Sequence, residues 1–272
     1  MGMVRVKKIV IFDSGVGGLS VYKEIYDLLP QVQYIYAFDN AAFPYGELAD
    51  NILIERTNHI VSALVEQYKA DLVVIACNTA STIVLPTLRQ NLNIPIVGVV
   101  PAIKPAAKLS NTKVIGLLAT PATVKREYTQ QLINQFASDC EVKMIGSTRL
   151  VEMAEQKLRG ESISLNELSE ILAPWQQQVD SIILGCTHFP LIKEEIKAVL
   201  RNEVSVVDSG KAIALRVSSL LGLSEQEKQP CNKINNLTYS SAATQSVAAL
   251  NKSLRQIGLG TIQSLKYPYL RF

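Results

Sequence analysis

Apolar and polar positions follow one another in short blocks along this chain, and two blocks share a design. Asp71-Leu72-Val73-Val74-Ile75-Ala76-Cys77-Asn78-Thr79-Ala80-Ser81 opens on an acid, runs through β-branched residues and meets a cysteine six positions on. Asp180-Ser181-Ile182-Ile183-Leu184-Gly185-Cys186-Thr187-His188-Phe189-Pro190 does the same. A short apolar run bounded by polar residues predicts a strand buried on both faces, as in a parallel sheet. Each cysteine then stands just past the carboxyl end of its strand, where open α/β sheets hold their ligands.

The remaining pattern builds a frame around these blocks. Lys8 to Phe12 reads as a strand, Asp13-Ser14-Gly15-Val16-Gly17-Gly18 as a turn, and Leu19 to Leu29 as a helix stopped by Pro30. A strand over Gln33 to Phe38, the loop Phe43-Pro44-Tyr45-Gly46 and an amphipathic helix over Asn51 to Lys69 follow. After the Cys77 strand come a helix ending near Asn91 and a strand over Ile96 to Val100. Pro101 and Pro105 interrupt the pattern, and then the plan restarts. Strands over Val114 to Leu118 and Glu141 to Ile145, a helix over Ser164 to Gln178, the Cys186 strand and a strand over Val204 to Val207 repeat the order. The cysteines are offset by 186 − 77 = 109 positions. Alternation of strand and helix, repeated at this interval, predicts two similar doubly wound parallel-sheet α/β domains with the active site in the cleft between them.

The boundaries expected are 1–100 plus 208–272 for the first domain and 101–207 for the second. Asp208-Ser209-Gly210 reads as an N-cap for a helix over Ile213 to Leu221. The tail, with a strand over Leu237 to Ser241 and a helix over Thr244 to Gln256, completes an existing domain.

Composition narrows the function. A net charge of +3 without long like-charge runs asks for neither nucleic acid nor an anionic membrane. No apolar run approaches the ~18 residues of a membrane span, and no secretory signal opens the chain. Four cysteines without a C-x-x-C pair argue against zinc and against a disulfide scaffold. A cytoplasmic protein without metal or cofactor is expected, since no lysine stands at a strand end beside the two cysteines to form a Schiff base. Cys140 and Cys231 have no echo and read as inert core.

Cys77 and Cys186 differ, because each has polar company and a following helix. A free thiol is about 3% thiolate at pH 7, and bringing its pKa near 7 takes about 2 kcal/mol, within reach of a helix N-terminus and one hydrogen bond. A facing pair suits a reaction needing one thiolate and one thiol with exchangeable roles, such as moving a proton from one face of a carbon to the other. The turn after the first strand invites a dinucleotide reading with Asp39 as the ribose acid, but the third glycine is replaced by Ser20 and Asp13 sets a charge against a pyrophosphate. The small turn instead lets a carboxylate ligand approach backbone donors.

Taken together, Phe12-Asp13-Ser14-Gly15-Val16-Gly17-Gly18-Leu19, Pro44-Tyr45-Gly46, Ala76-Cys77-Asn78-Thr79-Ala80 and Leu184-Gly185-Cys186-Thr187-His188-Phe189-Pro190-Leu191 resemble the glutamate branch of the cofactor-independent aspartate/glutamate racemase family. The resemblance implies a homodimer that interconverts L- and D-glutamate and supplies D-glutamate for bacterial peptidoglycan. It implies Cys77 and Cys186 as the two acid/base residues, assisted by Asp13 and His188, with Glu152 as an acid near the histidine. Asp13, Ser14, Tyr45, Gly46, Asn78, Thr79, Thr187 and His188 are implied to bind substrate. Some members carry an N-terminal extension tied to activation by a wall precursor; this chain starts almost at its first strand, so such activation is not expected. A sister enzyme acting on aspartate or a hydantoin is the nearest alternative, and an amino-acid-binding module without chemistry is a more distant one.

Overall fold

The computed structural model describes residues 5–200, 204–223, 234–244 and 247–265, so Cys231 and positions 245–246 of the expected tail helix lie outside it. The strands are β1 (Lys8–Asp13), β2 (Gln33–Phe38), β3 (Leu72–Ile75), β4 (Ile96–Gly98), β5 (Val114–Ala119), β6 (Glu141–Gly146), β7 (Ser181–Leu184), β8 (Ser205–Val207), β9 (Leu237–Ser240) and β10 (Ile262–Ser264). They pair in parallel to form a six-stranded sheet, β10-β9-β2-β1-β3-β4, and a four-stranded sheet, β6-β5-β7-β8. The inner part of the first order, β2-β1-β3-β4, is the second order one repeat earlier. The cysteine blocks are the third strand of each half, β3 and β7, and every residue of both is buried.

The chain divides into two compact units, Met1–Val99 with Gly210–Phe272, and Val100–Ser209. In the first unit, helix Gly210–Leu221 packs on helix Leu19–Leu28, and β9 and β10 extend the sheet beyond β2. Its core joins Val10, Phe12, Ile35, Val73 and Ile75 from the strands to Leu53, Ile60 and Leu64 from helix Asp50–Tyr68. In the second unit, Ile115, Leu117 and Ile183 pack against Ile103, Ala106 and Ile133. Full burial of side chains of this size contributes about 1.5–3 kcal/mol each, which is what holds the sheets to their helices.

Two helices differ from the sequence pattern because of proline. Pro105 does not interrupt structure: it is the third residue of helix Ile103–Leu109, where its missing amide has no intrahelical partner to lose. The helix expected over Ser164 to Gln178 is shorter, running Leu165–Leu172 from a Ser164 cap and tightening into a 3₁₀ turn, Ala173–Trp175, around Pro174. Ser209 gives its hydroxyl to the Val100 carbonyl, and Asp208 pairs with Lys193. No described helix is long and apolar enough to cross a membrane.

Candidate active site

Both sheets reverse their strand order at equivalent places, between β1 and β3 and between β5 and β7. Such a switch point opens a crevice beyond the carboxyl ends of the two strands. Asp13 ends β1, paired in register with Phe38, and Cys77 lies two residues past β3. In the second unit Ala119 ends β5 and Cys186 lies two residues past β7. The repeated apolar blocks thus deliver one thiol to each switch point.

Glycine makes the close packing there possible. A Cβ on Gly18 would sit 3.0 Å from Ala76 Cβ, Asp13 Cβ and the Tyr36 hydroxyl. One on Gly185 would meet Leu117 Cδ1 at 2.9 Å and the Leu118 carbonyl at 3.1 Å. Any larger residue at either place pushes a strand end away from its neighbour.

Around Cys77 the groups are short donors. Its side chain caps helix Asn78–Ser81, with Sγ accepting from the Ala80 amide at 3.4 Å, and Ser14 Oγ stands 3.8 Å from the sulfur. The Ala80 amide is thus a donor aimed at the sulfur, and Ser14 Oγ itself donates to Asp13 Oδ1 at 3.5 Å. Asp13 turns its carboxylate onto the loop it opens, accepting from the Ser14 amide at 2.7 Å and the Gly18 amide at 2.5 Å. It therefore occupies the donors a pyrophosphate would need, and the dinucleotide reading has no room. Asn78 is 3% exposed and its Nδ2 has no hydrogen-bond partner among the described residues. A buried donor left in that state costs about 1–3 kcal/mol, which an incoming acceptor would recover. Thr79, next to it in sequence, and Ser14, close to the Cys77 sulfur, are also buried, and the turn Tyr45–Glu47 packs on the same short helix.

Tyr45 itself does not offer its hydroxyl to a ligand. It donates to Asp39 Oδ2 at 2.7 Å, and Arg56 grips the same carboxylate with Nε and Nη2, each at 2.7 Å. Burial, followed by the Asp39 charge, raises the Tyr45 hydroxyl well above its ordinary pKa, so it stays a donor. What Tyr45 and Gly46 can present to a substrate is backbone.

Around Cys186 the company is ionisable. His188 Nδ1 stands 3.8 Å from Sγ, and Nε2 is 3.2 Å from Glu155 Oε1. A carboxylate only accepts, so Nε2 carries a proton and the other nitrogen faces the sulfur. Arg159 stands 3.5 Å from the second Glu155 oxygen. Thr187, between the thiol and the imidazole in sequence, is 4% exposed. Glu152, the acid expected near the histidine, is elsewhere: it bonds Arg149 at 2.9 Å on the outside of helix Arg149–Leu158. The imidazole's partner is Glu155, one turn on. The signal for it was available, because position 155 follows buried Val151 by four and so shares its face. Cys140 is half-buried, away from both strand ends, and burial followed by Asp139 pushes its thiol up.

Each half thus holds a buried thiol beside groups that can take or stabilise a charge, and the first half adds an unpaired buried donor. Comparison with known proteins agrees with the chemistry. The family model for Asp/Glu/hydantoin racemases matches residues 10–217. The chain is 57% identical over 262 residues to a glutamate racemase of Aliivibrio fischeri, covering 96% of this chain and 98% of that one. It is 56% identical over 261 residues to a glutamate racemase of Vibrio cholerae, covering 96% and 97%. Among solved structures, the Escherichia coli glutamate racemase in complex with L-glutamate and the activator UDP-MurNAc-ala superposes with a TM-score of 0.89 at 48% identity, covering 96% of this chain and 98% of that chain. This chain belongs to the Asp/Glu/hydantoin racemase family.

Proposed function

We propose that the chain interconverts L- and D-glutamate without a cofactor, and so supplies D-glutamate for bacterial peptidoglycan in the cytoplasm, as a homodimer acting on a small molecule and on neither nucleic acid nor membrane. The observation that carries the reading is the repeated thiol: Cys77 and Cys186 occupy the same switch point in two copies of one sheet. Binding alone has no use for that, whereas racemisation needs a base on one face of the α-carbon and an acid on the other. The α-proton goes to one thiolate, the planar carbanion forms, and the opposite thiol returns a proton. The two sulfurs have then exchanged roles, which sets the enzyme for the reverse direction, and proton exchange with solvent resets the pair for another forward turnover.

Each thiol has its own helper in this reading. For Cys77 the Ala80 amide stabilises negative sulfur, and Asp13 shapes the loop that carries Ser14 to the thiol. For Cys186 the helper is His188, held by Glu155. Glu152 has no part in this arrangement, and Glu155 takes the role. Asn78 supplies the donor for a substrate carboxylate, joined by Thr79 and the backbone of Tyr45 and Gly46, while Thr187 is a short donor next to Cys186 in the second unit.

The expectation that a wall precursor does not activate this chain loses its basis. It rested on a missing extension, and the activator-bound E. coli enzyme is matched over 98% of its chain. Turnover measured with and without UDP-MurNAc-Ala decides the point directly.

The decisive assay is loss of circular dichroism from pure L-glutamate on addition of the protein, with L-aspartate in a parallel cell. A decay with glutamate alone is expected. A decay with aspartate alone would transfer the assignment to the sister activity, and none with either would sink the reading.

A further inference from the structure

The Asp39 carboxylate accepts hydrogen bonds from three side chains, those of Tyr45, Arg56 and Ser241, and nothing in the two-thiol chemistry uses it. Asp39 is 0% exposed and its partner Arg56 is 4% exposed. Besides the Arg56 fork and the Tyr45 hydroxyl it accepts from Ser241 Oγ. Its backbone amide donates to the carbonyl of Asp13 at 3.0 Å. Four segments thus meet at one side chain: the end of β2, the 3₁₀ turn Tyr45–Glu47, helix Asp50–Tyr68 and the residue after β9, the last of them 202 positions away.

A buried ion pair is poor evidence for a stability role, because withdrawing both charges from water offsets most of their attraction and apolar replacements often serve as well. A bidentate guanidinium–carboxylate pair does supply direction, since two parallel hydrogen bonds fix the plane of the acceptor. Here the fixed plane aims one oxygen at Tyr45. The Tyr45 ring also rests on Phe12, with centroids 6.2 Å apart. Ring and hydroxyl together pin the start of the turn that packs on Asn78–Ser81 and carries Gly46.

We infer that Arg56, acting through Asp39, is a positioning residue that holds the Tyr45–Gly46 backbone at the spacing from Asn78 that a substrate carboxylate requires. The inference rests on the glutamate reading given above and adds to it a residue that touches neither substrate nor sulfur. Loosening the fork lets the turn drift, so substrate binding weakens while the sulfurs, seated past β3 and β7, are little changed. The effect belongs in KM.

The test replaces the pair by apolar residues of similar size, Asp39→Leu with Arg56→Met, which leaves no unpaired buried charge. We expect a melting temperature several degrees lower, because Tyr45 and Ser241 lose their acceptor, with KM for glutamate raised about tenfold in both directions and kcat within about threefold. Tyr45→Phe, which removes only the hydroxyl, carries the test should the double variant not fold; it should raise KM about threefold. Calorimetric titration with D-glutamate checks that KM follows affinity. A purely structural role would lower the melting temperature and the active fraction with KM unchanged, and that result in either folded variant overturns the inference. Wild-type protein that neither binds nor racemises glutamate would instead overturn the functional reading, and this inference with it.

Discussion

Replacing Glu155 by Gln probes how His188 serves Cys186, and its size can be worked from the geometry. The side chains of His188 and Glu155 are 3% and 14% exposed, so solvent screens their 3.2 Å contact little. Gln keeps the shape and an acceptor oxygen but removes the charge. A hydrogen bond to a charged group is worth about 1.5–3 kcal/mol against about 1 for a neutral one, so roughly 1–2 kcal/mol is lost when the imidazole is charged. That charge is present when His188 has taken the Cys186 proton, which is the state that abstracts. The expected result is a fall in kcat/KM of about tenfold, within a range of about 5–30. Because the two enantiomers have equal free energy, the fall must be the same starting from L- or D-glutamate. Initial rates by circular dichroism in both directions measure it, with a thermal melt to confirm folding. Glu152→Gln is the comparison: it cuts one half-exposed bridge to Arg149, and exposed pairs of this kind are worth about 0–1 kcal/mol. A Glu155→Gln enzyme within twofold of wild type, or a Glu152→Gln enzyme more damaged than it, would refute the reasoning.

Cys77→Ala and Cys186→Ala should each abolish racemisation in both directions, while Cys140→Ala, which alters a thiol outside both switch points, should leave turnover within a small factor; steady-state rates of the three purified variants decide it. In D2O, the first D-glutamate formed from L-glutamate should carry deuterium at the α-carbon while the remaining L-glutamate stays mostly protiated. Mass spectrometry at low conversion reads this, and substantial retention of the original hydrogen would rule out two bases. Asp180, at the entry to β7, is pushed up by burial but held below its ordinary pKa on balance by Ser110 and the amides of Thr112 and Asn111. A depressed carboxylate adds stability above its unfolded pKa and loses it as pH falls through the lower folded value. Asp180→Asn should therefore melt several degrees below wild type at pH 7, with the gap closing in acid; an equal gap at pH 7 and pH 3 would show that the charge is not what stabilises.

How far the chain could be read depends on the range of the interactions involved. Burial on both faces of a strand writes itself as an unbroken apolar run, so β3 and β7 were legible, and the residues just past them had to stand at strand ends. The order of the two halves was legible for the same reason, since each element carries its own periodicity. Proline was misread at 105 because its cost depends on whether it falls in the first turn of a helix, a matter of one or two residues. Partner choice among polar side chains was not legible. Glu152 and Glu155 differ by one helical turn, and only the packing of Leu150, Val151, Met153 and Ala154 into the second unit decides which carboxylate reaches an imidazole 33 residues further on. In the sequence Asp39 stands out only as the ribose acid of a dinucleotide site, and the tertiary structure makes it the anchor of Tyr45 by bringing in Arg56 and Ser241, the latter 202 residues away. Hydrophobic burial is non-directional and tolerates small errors of placement, so it survives in a one-dimensional pattern. A hydrogen bond weakens steeply outside a narrow range of distance and angle, so its partners exist only once the helices and sheets have been set beside one another.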